Sequence, residues 1–139
     1  MIVFDASAVV SAALREDSVP ERALLRAEEL DLFALSSAVE AEIVEVLNRP
    51  RFADAVSEAR RARILDVLRG QAAWFAPSEP VTDCRDEKDN KYLELALVAG
   101  AHTIVSGDND LLVLHPWRGV QILRPAEYLA ETATGRDQA

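Results

Sequence analysis

Short apolar runs alternate along the chain with stretches whose apolar residues recur at helical spacing. Ile2-Val3-Phe4 predicts a strand that runs straight into Asp5, and a helical pattern begins at Ser7 or Ala8. A strand followed at once by a carboxylate and a helix fits a buried parallel strand covered on both faces. Ser18, Pro20 and Glu21 predict the next helix start, with Ser18 as N-cap and Glu21 closing a capping box, and the helix runs to about Leu30. Leu32 to Leu35 is a second short apolar segment, followed by Ser37 and Glu40 in the same capping relation. Over residues 38–47, Val39, Ile43, Val46 and Leu47 share one side of a helix, with Glu42 and Glu45 nearer its border. Pro50 prevents unbroken continuation.

Residues 57–70 again read as helix, with Ile64, Leu65 and Leu68 apolar, arginines on the other side and Gly70 at a fraying end. Ala73 to Phe75 predicts a strand. Asp86 and Asp89 precede a largely buried helix carrying Tyr92, Leu93, Leu95, Ala96, Leu97 and Ala99 and ending at Gly100. Thr103 to Ser106 predicts a strand ending in Gly107 and Asp108; Leu111 and Leu112 enter a short helix or turn; Val120 to Leu123 is the last strand; and Pro125 opens a final helix with Tyr128 and Leu129. The alternation predicts an α/β fold, a three-layer α/β/α sandwich with a mainly parallel sheet. We read residues 1–131 as a single domain and 132–139, where apolar periodicity is lost, as a flexible C-terminal tail. No phosphate-cradling glycine motif is present, which argues against a dinucleotide site after the first strand.

Composition supports one core: 139 residues, half of them hydrophobic, suffice for one domain and are too few for two full ones. A single cysteine, Cys84, excludes an intrachain disulfide framework and offers no thiolate metal site. No basic region precedes the first apolar stretch and no run approaches membrane-spanning length, so we expect a soluble cytoplasmic protein with no membrane partner. The net charge of -9 weakens the case for a simple nucleic-acid binder. It leaves room for a nuclease, because metal ions can seat a phosphate among carboxylates while a local basic strip holds the rest of the strand. Arg49, Arg51, Arg60, Arg61, Arg63 and Arg69 supply such a strip, or else a solvated helical surface.

Four acids stand out by position. Asp5 and Asp108 directly follow predicted strands, where ligand groups collect in open α/β sheets; Asp89 lies at a helix start, and Glu42 near the start of another. Each alone reads equally well as a helix cap or a solubilising charge. Brought together they would suit Mg2+ or Mn2+, which take oxygen ligands and keep several waters.

Four ordered segments carry a family resemblance that runs from Met1 to about Leu129. They are Val3-Phe4-Asp5-Ala6-Ser7, Glu42-Ile43-Val44-Glu45-Val46-Leu47-Asn48-Arg49-Pro50, Arg85-Asp86-Glu87-Lys88-Asp89-Asn90-Lys91-Tyr92-Leu93-Glu94-Leu95-Ala96, and Ile104-Val105-Ser106-Gly107-Asp108-Asn109-Asp110-Leu111-Leu112. With them the chain resembles the PIN-domain nucleases, and within these the toxin components of bacterial toxin-antitoxin systems; Ser106 stands where the fourth motif usually has Thr. The resemblance implies a sheet in the order 3-2-1-4-5, bringing Asp5 and Asp108 together. It also implies a metal-dependent endoribonuclease acting on single-stranded or structured RNA, with Asp5, Glu42, Asp89 and Asp108 as catalytic residues. Asp5, Asp89 and Asp108 would bind Mg2+ or Mn2+, with Glu42 either a ligand or a carboxylate that orients the attacking water. A cognate antitoxin and a homodimer follow from the same resemblance.

Several positions stay open between two readings. Asp86 and Asp110 are further metal ligands or solvent-facing caps; Asn90 and Asn109 contact substrate or hold the fold; Ser7 and Ser106 steady a carboxylate or phosphate, or simply cap a turn. Arg49 and Arg51 are the first candidates for RNA phosphates, with Arg60, Arg61 and Arg63 behind them. Val9, Val10, Ala13, Leu14, Leu24 and Leu25 supply a dimer surface or internal core. His102 and His115 read as structural or surface residues. The competing function is an inactive or weakly active PIN-fold scaffold that binds an antitoxin. A nuclease of branched DNA ranks below it, since no long basic insertion or helical arch is evident.

Overall fold

A computed structural model describes residues 1–133. The chain runs β1 (Ile2–Phe4), α1 (Ala6–Leu14), α2 (Val19–Leu30), β2 (Ala34–Leu35), α3 (Ser37–Leu47), α4 (Pro50–Ala53), α5 (Glu58–Gly70), β3 (Ala73–Trp74), α6 (Asn90–Ala99), β4 (Thr103–Val105), α7 (Asn109–Leu112), β5 (Gln121–Leu123) and α8 (Pro125–Glu131). A 3-10 turn, Glu87–Asp89, leads into α6. Among the described residues these strands pair only in parallel: β4 lies between β1 and β5, and β2 pairs with β3. The two ladders meet through one parallel bridge, Ile2 to Phe33, closed by the Ile2 N–H donating to the Leu32 carbonyl at 3.0 Å. Read across that seam, the order is 3-2-1-4-5, with a thinner join between β1 and β2 than a continuous sheet would have.

All three residues of β1 and of β4 are buried. Because successive side chains point to opposite faces, such strands need cover on both sides. Helix α6 packs on β1, β2 and β4, while α1, α2, α3, α5 and α8 pack as a connected group. Phe4 anchors the centre, edge-to-face against Phe33 and Tyr128 at centroid distances of 5.6 and 6.4 Å.

Local capping chemistry sets the element ends, and it shifts some boundaries from those expected. Asp5 is the N-cap of α1, so the helix begins at Ala6. Ser18 caps α2, accepting from the Glu21 N–H, but Glu21 does not close the box: its carboxylate accepts from the Asp17 N–H and takes Arg60 instead. Helix α3 is capped by Ser36, one residue before the expected Ser37, and Glu40 pairs with Arg69 at 2.8 Å. Pro50 opens α4 rather than merely ending α3, as its fixed φ and missing N–H suit the first helical turn. Gly100 ends α6 with φ of +62°, a conformation glycine adopts without a Cβ penalty.

Two larger expectations change. Val9, Val10, Ala13 and Leu24 lie in the core, leaving Leu14 at 48% exposure as the exposed member of the proposed dimer surface. The tail expected from residue 132 starts too early, because Thr132 caps α8 and accepts from Arg26 Nη1 through both its carbonyl and its hydroxyl. Residues 134–139 of that expected tail lie outside the described residues. Among the described residues no helix is long and apolar enough to cross a membrane.

Candidate active site

The carboxyl ends of β1 and β4 deliver Asp5 and Asp108 to the same place, since Phe4 pairs with Val105 and the Asp5 N–H donates to the Val105 carbonyl. Two serines cross-link these strand ends. Gly107 N–H donates to Ser7 Oγ at 3.0 Å, and Ser7 Oγ donates to Asp5 Oδ1 at 2.7 Å. Asp108 N–H donates to Ser106 Oγ at 2.9 Å, and Ser106 Oγ donates to Asp5 Oδ2 at 2.5 Å. With Ala8 N–H also donating to Oδ1, the Asp5 carboxylate is held in one orientation. Burial nevertheless pushes its pKa up to about 6; the three hydrogen bonds pull it back and the charge of Asp108 adds to the rise.

Asp89 enters from the start of α6. It is 8% exposed, and its Oδ2 is a buried oxygen without a hydrogen-bond partner. Burial first, then contact with Asp108 and the charges of Asp108, Asp86 and Asp5, push its pKa up to about 8. Asp86 and Asp110 complete the group: one carboxylate oxygen from each of Asp86, Asp89 and Asp110 lies within 4.8 Å of the others. Asp86 also caps the 3-10 turn through Lys88 N–H, and Asp108 caps α7 through Asp110 N–H. Of the two positions left open between ligand and cap, Asp86 is a cap that also faces Asp89, whereas Asp110 caps nothing and reaches Asp89 from the first turn of the helix that Asp108 caps.

Glu42 is placed differently from the aspartates. Its Oε2 accepts from Lys91 Nζ at 2.5 Å and its Oε1 from the Tyr92 hydroxyl, which in turn accepts from the Ala6 N–H at 3.2 Å. Glu42 is thus tied to the residue after Asp5 through Tyr92. Neither Lys91 nor Tyr92 was singled out in the sequence, although both directly follow Asp89 and Asn90; their partner lies about fifty positions upstream, beyond any local spacing rule.

The remaining polar candidates are engaged in holding the fold. Asn90 accepts from Cys84 N–H at 2.8 Å, and Asn109 accepts from Arg124 at 3.1 Å. Arg60 closes the end of α1, donating to the Ala12 and Ala13 carbonyls and to Glu21 at 2.6 Å, with 13% of its side chain exposed. Arg61 donates to the Val56 carbonyl at 2.5 Å. Arg60, with Nε, Nη1 and Nη2 all engaged, departs from the expected RNA strip, whereas Arg61 uses Nη1 alone. Arg49 pairs with Glu45 on the surface, and Arg51 and Arg63 are exposed. Cys84 is buried, and burial raises its thiol pKa. His102 joins Asp31 at 2.5 Å, and His115 accepts from the Ile122 N–H, both far in role from the acids.

This crowd of carboxylates has the chemistry of a divalent-cation site: hard oxygen donors, mutual repulsion and one buried oxygen left without a donor. Residues 1–110 match the sequence profile of the PIN domain. The chain belongs to the PIN-domain family. The PIN domain's profile covers β1 through the start of α7, so Asp5, Glu42, Asp86, Asp89, Asp108 and Asp110 all fall inside it. A solved structure of VapBC2 from Rickettsia felis, bound to a DNA fragment from its promoter, contains a chain of similar fold, with a TM-score of 0.52 and 13% identity over 88% of this PIN chain and 97% of that one. No curated protein sequence matches the chain.

Proposed function

We propose that this PIN domain is a metal-dependent endoribonuclease and the toxin of a toxin-antitoxin pair. The observation that carries the reading is the orphaned Oδ2 of Asp89 among Asp5, Asp86, Asp108 and Asp110: a buried carboxylate without a donor, beside further carboxylates, is costly unless a cation completes it. Asp89 and Asp108, with Asp86 and Asp110 beside them and Asp5 behind, would hold Mg2+ or Mn2+. A bound ion there supplies an activated water and neutralises charge on the scissile phosphate.

The chain's own residues prepare this chemistry. Ser7 and Ser106 fix both Asp5 oxygens, so the carboxylate needs no reorganisation to meet a ligand. The Asp86 and Asp108 caps place their carboxylates by short helical turns rather than by flexible loops. Attack by water on phosphorus with the 3'-oxygen as leaving group yields a 5'-phosphate and a 3'-hydroxyl. Arg49, Arg51 and Arg63 are the exposed cations proposed to hold RNA phosphates beside the acidic centre.

The antitoxin partner rests on the fold shared with a chain of the Rickettsia felis VapBC2 structure. A homodimer is proposed with it. The test is cleavage of RNA by purified, antitoxin-free protein with Mg2+ or Mn2+, against a chelated sample and an Asp89→Asn control. Cleavage that persists in chelator or in the variant refutes the reading; metal binding with no nuclease activity favours the antitoxin-binding scaffold instead.

A further inference from the structure

The carboxylates of this site carry more negative charge than one divalent ion cancels, and part of the balance is built into α6. Lys91 and Tyr92 are consecutive residues, yet both reach Glu42: the ammonium takes Oε2 and the phenol takes Oε1. Both charged partners are largely sheltered, with side-chain exposures of 23% for Lys91 and 19% for Glu42. Tyr92 is 1% exposed and also bonded by the Ala6 N–H, so its hydroxyl is fixed by the core and by α1. Asp89, at the start of the same helix, keeps an oxygen with no donor at all. The start of α6 therefore presents an open acceptor at Asp89 and, through Lys91 and Tyr92, fills the Glu42 carboxylate of α3.

We propose that Lys91 is an internal counter-cation which, with Tyr92, holds Glu42 out of metal coordination, so that the site takes one divalent ion at the Asp89 side rather than two. The inference rests on the metal-nuclease reading and makes Lys91 a positioning residue. A second ion at Glu42 has to displace a sheltered ammonium. It would leave that charge unpaired beside two dications, and the Tyr92 hydroxyl without its acceptor. Two-metal sites clamp both the attacking and leaving oxygens between ions; here an ammonium already occupies Glu42, the carboxylate a second ion would need.

The experiment is Mn2+ titration of the purified, antitoxin-free full chain by calorimetry, with bound ion counted independently by electron paramagnetic resonance. Wild type is expected to bind one ion, and Glu42→Gln to bind one ion with the same affinity. Lys91→Met is expected to bind a second ion, and Lys91→Arg to return to one. Two ions on the wild type, a tenfold or greater loss of affinity in Glu42→Gln, or a folded Lys91→Met that still binds one ion overturns the proposal while leaving the nuclease reading in place. If Lys91→Met does not fold, the wild-type count and Glu42→Gln decide. No ion on the wild type overturns the metal-nuclease reading, and this proposal falls with it.

Discussion

Ser106 donates its hydroxyl proton to Asp5 across the join between β4 and β1, at 2.5 Å, while accepting from the N–H of Asp108. One hydroxyl thereby fixes the spacing of two carboxylates that come from opposite ends of the sequence. Ser106→Ala removes a donor to a buried charged group and should cost about 1.5–3 kcal/mol of stability. Its Mn2+ affinity should fall as Asp5 loses its orientation. Ser106→Thr, which keeps the hydroxyl, should restore both; urea unfolding and Mn2+ titration of the two variants check this.

Asp5 does more than offer ligand oxygens, since it also caps α1 and receives both serines. Asp5→Ala is therefore expected to lower stability by about 1–2 kcal/mol through the lost cap, in addition to abolishing cleavage. Asp5→Asn should retain more of the cap and lose the activity alike. Thermal unfolding beside single-turnover cleavage separates the two effects, and equal stability of Asp5→Ala and wild type would show that the cap carries no weight.

The pH dependence of the metal-free protein follows from the raised carboxyls. Asp5, at about 6, and Asp89, at about 8, hold protons in the folded state that the unfolded chain releases near pH 4. The folded state thus binds more protons, and these two groups lower stability as pH rises from about 4 to about 8. Tm without metal should fall across this window and recover on adding Mn2+. Asp89→Asn should raise the metal-free Tm above pH 7 and abolish the recovery. A metal-free Tm that climbs from pH 5 to pH 8 contradicts the assignment.

The arginines divide into two sets. Arg49→Gln with Arg51→Gln should weaken RNA binding and flatten its salt dependence with folding intact, because fewer counterions are released. Arg60→Gln, by contrast, strips donors from two carbonyls and Glu21 and should cost about 3–5 kcal/mol, in keeping with breaking a sheltered ion pair. Filter binding across a salt series, with a melting curve for each variant, distinguishes them; unchanged RNA affinity in the Arg49/Arg51 double variant places the substrate elsewhere.

Self-association is testable directly. Light scattering of antitoxin-free protein over a concentration series should exceed the 15.3 kDa monomer mass. A mass that stays at the monomer value removes the homodimer.

Much of this site was legible because local chemistry marks it. Asp5 and Asp108 each follow an apolar run of strand length and precede a helix start, so their positions at strand ends could be read from the chain. Asp89 was legible as the residue opening a buried helix. The partners of Arg60 and Glu42 were not, for one physical reason: they lie 39 to 50 residues away, and nothing in a helical repeat shows which neighbour will neutralise a charge. The Ser36 cap was missed by one position because Ser36 and Ser37 offer the same hydroxyl, and only the backbone decides which one is extended.

The single bridge from Ile2 to Phe33 has a consequence for how the molecule opens. Three strands share one ladder, whereas β2 and β3, two residues each, share another that is fastened to it at one point. Amides protected only by the smaller ladder, such as Ala73 and Phe75, should exchange with deuterated solvent earlier than Asp5 and Ser106, whose amides are bound into the larger one. The aspartate end of the site would then sit on the slower-exchanging of the two ladders.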